Sequence, residues 1–98
     1  MKNPISNLQK VFENRIRLGI MSALMVNDSL SFNVLRELLE LTDGNLASHL
    51  KALEQQDIIQ VSKQFIGRKP STTYQATGYG KDLFRKHLAA LEDLLSNQ

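Results

Sequence analysis

The stretch Leu41-Thr42-Asp43-Gly44-Asn45-Leu46-Ala47-Ser48-His49-Leu50-Lys51-Ala52-Leu53 decides how the rest of the 98-residue chain is read. Leu46, Leu50 and Leu53 recur at helical spacing, so they line one face of a short helix. Thr42 suits the N-cap, because its hydroxyl oxygen accepts from a helix N–H that has no partner within the helix. Leu41 before the cap and Leu46 in the first turn suit a hydrophobic staple. The opposite face carries Asp43, Asn45, Ser48, His49 and Lys51, small or polar residues rich in donors and acceptors. Such a helix is either an ordinary surface helix or one shaped for the major groove of DNA.

Downstream the period changes from helical to alternating. Ile59, Val61 and Phe65 share one parity and Gln60, Ser62 and Gln64 the other, which predicts a strand over residues 58–66. Gly67-Arg68-Lys69-Pro70-Ser71 reads as a turn. Thr72-Thr73-Tyr74-Gln75-Ala76 reads as the returning strand, being β-branched and aromatic. The result is a hairpin with two adjacent cations at its tip. Thr77 can cap a last helix with Gly78 and Gly80 in its first turn. Along that helix Phe84, Leu88, Leu91 and Leu95 form a stripe of about two heptads, flanked by Leu83, His87 and Leu94. So short a stripe needs a surface to pack on. Its expected targets are the first helix and the same helix of a second subunit.

Upstream, residues 5–26 read as a helix pair or one long helix. Ile5, Leu8 and Phe12 mark one apolar line; Ile16, Ile20, Ala23 and Leu24 mark another; Leu18, Met21 and Met25 mark a third. A helix apolar over so much of its surface must be covered on two sides. The domain core is expected on one side and a second subunit on the other. Gly19 inside this helix points to close packing or to mere tolerance. Asn27-Asp28-Ser29 is a break. Leu30-Ser31-Phe32 suits a short edge strand, and Asn33 can cap a second helix over residues 34–41. Only a tight turn separates that helix from the one starting at Asp43, which is helix-turn-helix spacing.

Composition limits the function classes. Hydrophobic residues make up 42% and charged residues 22%, which is globular. The chain has no cysteine, which excludes disulfides and thiolate metal sites. No apolar run near the start is long enough for a signal peptide or a membrane span. The expected location is the cytoplasm, with no membrane partner. The net charge of +2 is unevenly placed. Residues 58–81 carry Lys63, Arg68, Lys69 and Lys81 and no acid, whereas residues 28–57 carry six acids against Arg36 and Lys51. A polyanion would have to meet the basic segments with the acids turned aside.

The order helix, short strand, helix, helix, two strands, helix is mainly α with a small β-hairpin. It resembles the small winged helix-turn-helix transcriptional regulators related to the ArsR and MarR groups. Residues 15–24 look like their first core helix, residues 41–54 like their turn and recognition helix, 65–74 like their wing, and 76–81 like the start of their last helix. The resemblance covers nearly the whole chain. It implies one domain over residues 1–98, with residues 78–98 as a dimerisation helix. It also implies a homodimer bound to a roughly palindromic operator on double-stranded DNA. Metal sensors of the ArsR group use cysteines or clustered histidines and carboxylates. Cysteine is absent here, and His49 and His87 lie on different helices without a neighbouring ligand, so no metal and no cofactor are expected.

On this reading Asn45 and Ser48 sit where base contacts concentrate. Thr42, Asp43 and Gly44 open the helix, Gly44 either letting the backbone approach the groove or only making a turn. His49 either contacts phosphate when protonated or stays neutral and braces the helix. Lys51, Lys63, Arg68 and Lys69 are the phosphate candidates, with Arg68 and Lys69 also placed for the minor groove. Asp43 is the difficulty: it favours the helix dipole but repels phosphate. The dimer candidates are Leu8, Phe12, Phe84, His87, Leu88, Leu91 and Leu95. The function expected is a DNA-binding regulator, a repressor, with no catalytic residues. The alternative is a winged-helix module for protein contacts. Nothing in the sequence identifies a small-molecule effector.

Overall fold

A computed structural model describes residues 3–96. The chain forms α1 (Arg15–Met25), β1 (Leu30–Ser31), α2 (Phe32–Leu38), α3 (Asp43–Gln55), β2 (Ile59–Ile66), β3 (Lys69–Ala76) and α4 (Gly78–Ser96). This is the expected element order. The strands make one antiparallel sheet in the order β1-β3-β2.

The N-terminal part departs from expectation. Residues 5–9 are not helical, and Lys10–Phe12 is a single 3-10 turn. Tertiary contacts override the apolar spacing here. The Gln9 amide donates to Nδ1 of His87 at 2.9 Å, and Phe12 lies edge-on to Phe84 with ring centroids 5.1 Å apart. Helix α1 starts only where Asn14 Oδ1 accepts from the amides of Ile16 and Arg17. Ile5 is left exposed rather than forming an apolar line with Phe12.

Helix α1 is the hub of the core. Ile20, Met21 and Leu24 are fully buried, and Ile16, Leu18 and Met25 pack against the same cluster. α3 and β3 cover α1, and α4 and the 3-10 turn also pack against it. The chain's own elements thus cover much of the wide apolar surface, while Ile16, Leu18 and Met25 stay half-buried. Gly19 does serve close packing: a Cβ there would sit 3.0 Å from Leu39 Cδ2.

Ser31, not Asn33, caps α2, its Oγ accepting from the Val34 amide at 3.1 Å. α2 also ends early, at Leu38. Glu40 takes a left-handed conformation, φ +53°, so that Leu41 N–H reaches the Arg36 carbonyl and Glu40 N–H the Glu37 carbonyl. This is a Schellman closure built without glycine. α3 closes in the same way, with Asp57 at φ +59° and Ile58 N–H on the Leu53 carbonyl.

The hairpin is longer and tighter than expected. Its loop is only Gly67-Arg68, because Ile66 already pairs with Lys69. Gly67 takes φ +66°, which suits the first position of a type II′ turn. Pro70 lies within β3 opposite Phe65. A proline fits there because β1 pairs with β3 only at Thr73 and Tyr74, leaving the Pro70 end of that edge open.

Thr77 ties the hairpin to α4. Its Oγ1 accepts from the Gly80 amide at 2.9 Å and donates to the carbonyl of Asp57 at 2.6 Å. The expected stripe on α4 divides in two. Gly80, Phe84, His87 and Ala90 are buried in the chain's own core, while Leu88 and Leu95 face solvent.

Candidate functional site

α3 is anchored as its leucines predict. Leu46, Leu50 and Leu53 are buried, and Thr42 Oγ1 accepts from the Asn45 amide at 3.2 Å. Asp43, Gly44, Asn45, Ala47, Ser48 and Lys51 are exposed. Among the described residues the side chains of Asn45, Ser48 and Lys51 have no protein partner, so their hydrogen-bonding capacity is open to a ligand. Gly44 lies inside the helix rather than in a turn, and nothing comes within 4 Å of a Cβ built on it.

Asp43 is not a bare charge. Arg36 Nη1 on α2 donates to Asp43 Oδ1 at 2.8 Å. The pairing holds the Arg36 guanidinium above its already high pKa, through the hydrogen bond first and the carboxylate charge second. Sequence reasoning missed Arg36. The pair is seven residues apart across a non-helical turn, so no helix periodicity links the two.

His49 is half-buried, and its Nδ1 accepts from Arg17 Nε at 3.1 Å. Burial, and next the Arg17 charge, hold its pKa below 6.5. The imidazole is therefore neutral at neutral pH and links α3 to α1, the bracing alternative rather than the charged one. His87 likewise accepts from Gln9 and is kept below 6.5 by burial, partly opposed by Glu13. Both histidines are engaged in holding the chain together.

The wing carries Lys63, Arg68 and Lys69, all exposed and, among the described residues, outside any ion pair. Beside them Phe65 and Ile66 are exposed too. β2 runs past the core, so Phe65 is exposed although it shares the parity of the buried Ile59. An open cleft of about 340 Å³ separates the wing from the start of α2, lined by Ser31, Phe32, Asn33, Pro70, Ser71, Thr72 and Tyr74.

The residues expected at a subunit interface separate into two groups. Phe12, Phe84 and His87 are 1–2% exposed inside the chain's own core and leave almost no surface for a partner. Leu8 and Leu91 are half-buried, and Leu88 and Leu95 are 43% and 91% exposed. No helix among the described residues is long and apolar enough to cross a membrane.

Residues 16–95 match the family model described as a winged helix DNA-binding domain. An uncharacterized protein of Methanocaldococcus jannaschii is 33% identical over 88 residues, which is 90% of this chain and 96% of that protein. The structure of a transcriptional regulator homologue from Pyrococcus horikoshii superposes with a TM-score of 0.82 at 30% identity, over 88% of this chain and 85% of that one. The YusO protein of Bacillus subtilis shares the fold, with a TM-score of 0.81 at 18% identity, over 95% of this chain and 65% of that one.

Proposed function

Because the chain belongs to the winged helix DNA-binding domain family, we propose that it is a homodimeric, sequence-specific transcriptional regulator that represses by occupying operator DNA in the cytoplasm. The observation that carries the reading is the exposed face of α3. It is anchored by three buried leucines and presents Asn45, Ser48 and Lys51 without partners from the described chain. The transcriptional regulator homologue of Pyrococcus horikoshii supports the same reading.

In this reading α3 enters a major groove N-terminus first. Asn45 and Ser48 read base edges, an asparagine amide being matched to adenine. Thr42 and Gly44 bring the backbone close, and Lys51 meets phosphate. Arg36 offsets the charge of Asp43 against the phosphates. His49 sets the tilt of α3 through Arg17. Lys63, Arg68 and Lys69 hold the backbone beside the groove, so the helix supplies selectivity and the wing much of the attraction. Two protomers meet through Leu88, Leu91 and Leu95 of α4, with Leu8 at the margin, while Phe84 and His87 hold the inner face of α4 against Phe12.

Binding of a labelled duplex across a salt series tests the reading. Affinity falls steeply with salt, and Arg68→Ala/Lys69→Ala flattens the dependence. A wild-type protein that binds no duplex at low salt contradicts it. A module for protein contacts draws support from the exposed Val26, Val34 and Leu38. That reading predicts that the Arg68 and Lys69 substitutions leave partner binding unchanged.

A further inference from the structure

Another cleft, of about 370 Å³, is lined by Lys10, Val11, Arg17 and Gln56. That volume suits a small molecule, such sites running from about 300 to 1,000 Å³. Three elements meet in it. The 3-10 turn brings Lys10 and Val11, the first turn of α1 brings Arg17, and the C-cap of α3 brings Gln56. Gln56 follows the 13 residues of α3, which puts it about 20 Å along the axis from Asp43. The cleft is therefore remote from the end of α3 that is to approach DNA.

The cations of this cleft are unbalanced. Among the described residues neither Lys10 nor Arg17 is in an ion pair. Glu13, Glu54 and Asp57 are neighbours in sequence, but no carboxylate lines the cleft. The charge of Glu13 is felt by His87 on α4, and that of Glu54 by Tyr74 on β3. Arg17 gives its Nε–H to His49 Nδ1 at 3.1 Å, so its two Nη groups keep four donors. Gln56 Nε2 makes only a long bond, 3.5 Å, to the Ala52 carbonyl.

A guanidinium, an ammonium and a carboxamide around a cleft without acid suit an oxyanion. The guanidinium can grip two oxygens of a phosphate side by side, and the ammonium meets it as a point charge. Two cations match a phosphate dianion better than a single carboxylate. We propose that this cleft binds the phosphate group of a small phosphorylated molecule between Lys10 and Arg17, and that the ligand acts on α3 through the Arg17–His49 contact. Arg17 is then shared between the ligand and α3, so occupancy of the cleft and the seating of α3 are linked. The consequence for DNA rests on the DNA-binding reading above; the binding of phosphate does not.

Inorganic phosphate is the probe, exchanged against sodium chloride at constant ionic strength and followed by NMR of the isotope-labelled full chain. The amide signals of Val11, Arg17 and Gln56 shift and saturate with a dissociation constant on the order of 1 mM. The titration midpoint of His49 rises. Burial holds it low first and the Arg17 charge second, and a bound anion offsets the second. Lys10→Ala weakens phosphate binding roughly tenfold. Lys86→Ala, which removes the same charge from an exposed position on α4, leaves it unchanged. Lys10 is exposed, so the circular dichroism of Lys10→Ala matches wild type. On a duplex without phosphate, Lys10→Ala keeps the wild-type affinity and salt slope. Shifts that do not saturate, or that spread over all the lysines, mark an adventitious ion only and overturn the proposal. So do saturation that Lys10→Ala leaves intact and a His49 midpoint that phosphate does not move. A salt slope lowered by about one in Lys10→Ala assigns the cleft to the DNA backbone and overturns it as well. All of these outcomes leave the DNA reading standing. A wild type that binds phosphate here but no duplex overturns the DNA reading and leaves the phosphate site.

Discussion

Arg36 Nη1 lies 2.8 Å from Asp43 Oδ1, bridging the two helices of the helix-turn-helix at the end of α3 that is to approach DNA. The pair is exposed, so water screens it and it adds little to folding. On the proposed reading its weight falls on DNA binding, because it offsets the one acidic charge in the first turn of α3. Arg36→Ala is expected to leave the thermal midpoint almost unchanged and to weaken duplex binding several-fold. Arg36→Ala/Asp43→Asn is expected to regain much of that loss. A double-mutant cycle on DNA affinity checks both.

Gly44 and Gly80 should respond in opposite ways. A Cβ on Gly80 would collide with the Ile58 carbonyl oxygen, a backbone atom that cannot turn aside. Gly80→Ala is expected to destabilise by on the order of 3 kcal/mol in denaturant unfolding. Gly44 has open space around it. Gly44→Ala is expected to stabilise by about 0.5–1 kcal/mol, since alanine is the better helix former. It is also expected to lower DNA affinity, because among the described residues its methyl group meets no neighbour and so obstructs a ligand rather than the fold. Unchanged affinity would assign Gly44 no part in the interface.

Acid should destabilise the fold through His49 and His87. Both have folded pKa values below 6.5, chiefly through burial, so the unfolded chain binds more protons. Their contribution is fully present above about pH 6.5 and is lost as pH falls through the folded values. Protonation also removes the lone pair that each Nδ1 offers, to Arg17 in one case and to the Gln9 amide in the other. Melting curves from pH 8 downward are expected to hold level and then drop below about pH 6.5. In His87→Gln, whose side-chain oxygen can still accept from Gln9, the drop is expected to be shallower. An equal drop would place the acid sensitivity elsewhere.

The α4 surface that carries Leu88 and Leu95 is expected to join two protomers. Leu95→Asp and Leu88→Asp should shift sedimentation at micromolar concentration toward the monomer. The Leu95 variant should keep its secondary structure, since that side chain is 91% exposed. A variant that remains dimeric would move the interface to another surface.

The parts of the fold legible in the sequence were those written in local periodicity and capping. Leu46, Leu50 and Leu53 marked α3, Thr42 its cap, and the alternation from Ile59 the hairpin. What local pattern could not show was decided by distant contacts. Residues 5–9 have helical apolar spacing, but Gln9 binds His87 and Phe12 stacks edge-on against Phe84, which holds the segment in another shape. The α4 stripe promised one interface, yet the aromatic anchor drew Phe84 and His87 inward and left Leu88 and Leu95 outside. Phe65 had the parity of a buried strand residue, but parity does not say where the core ends. In the candidate site, the exposed face of α3 and the wing cations were legible. The Arg36–Asp43 and Arg17–His49 contacts were not, because each joins two helices whose packing only the folded chain fixes.

Selection of bound duplexes from a random pool tests the central claim most directly. Two α3 helices related by a two-fold axis predict an enriched inverted repeat with half-sites about one helical turn (~34 Å) apart. Asn45→Ala is expected to relax the preference at one position in each half-site. A pool that shows no enrichment after repeated selection at low salt would contradict the account.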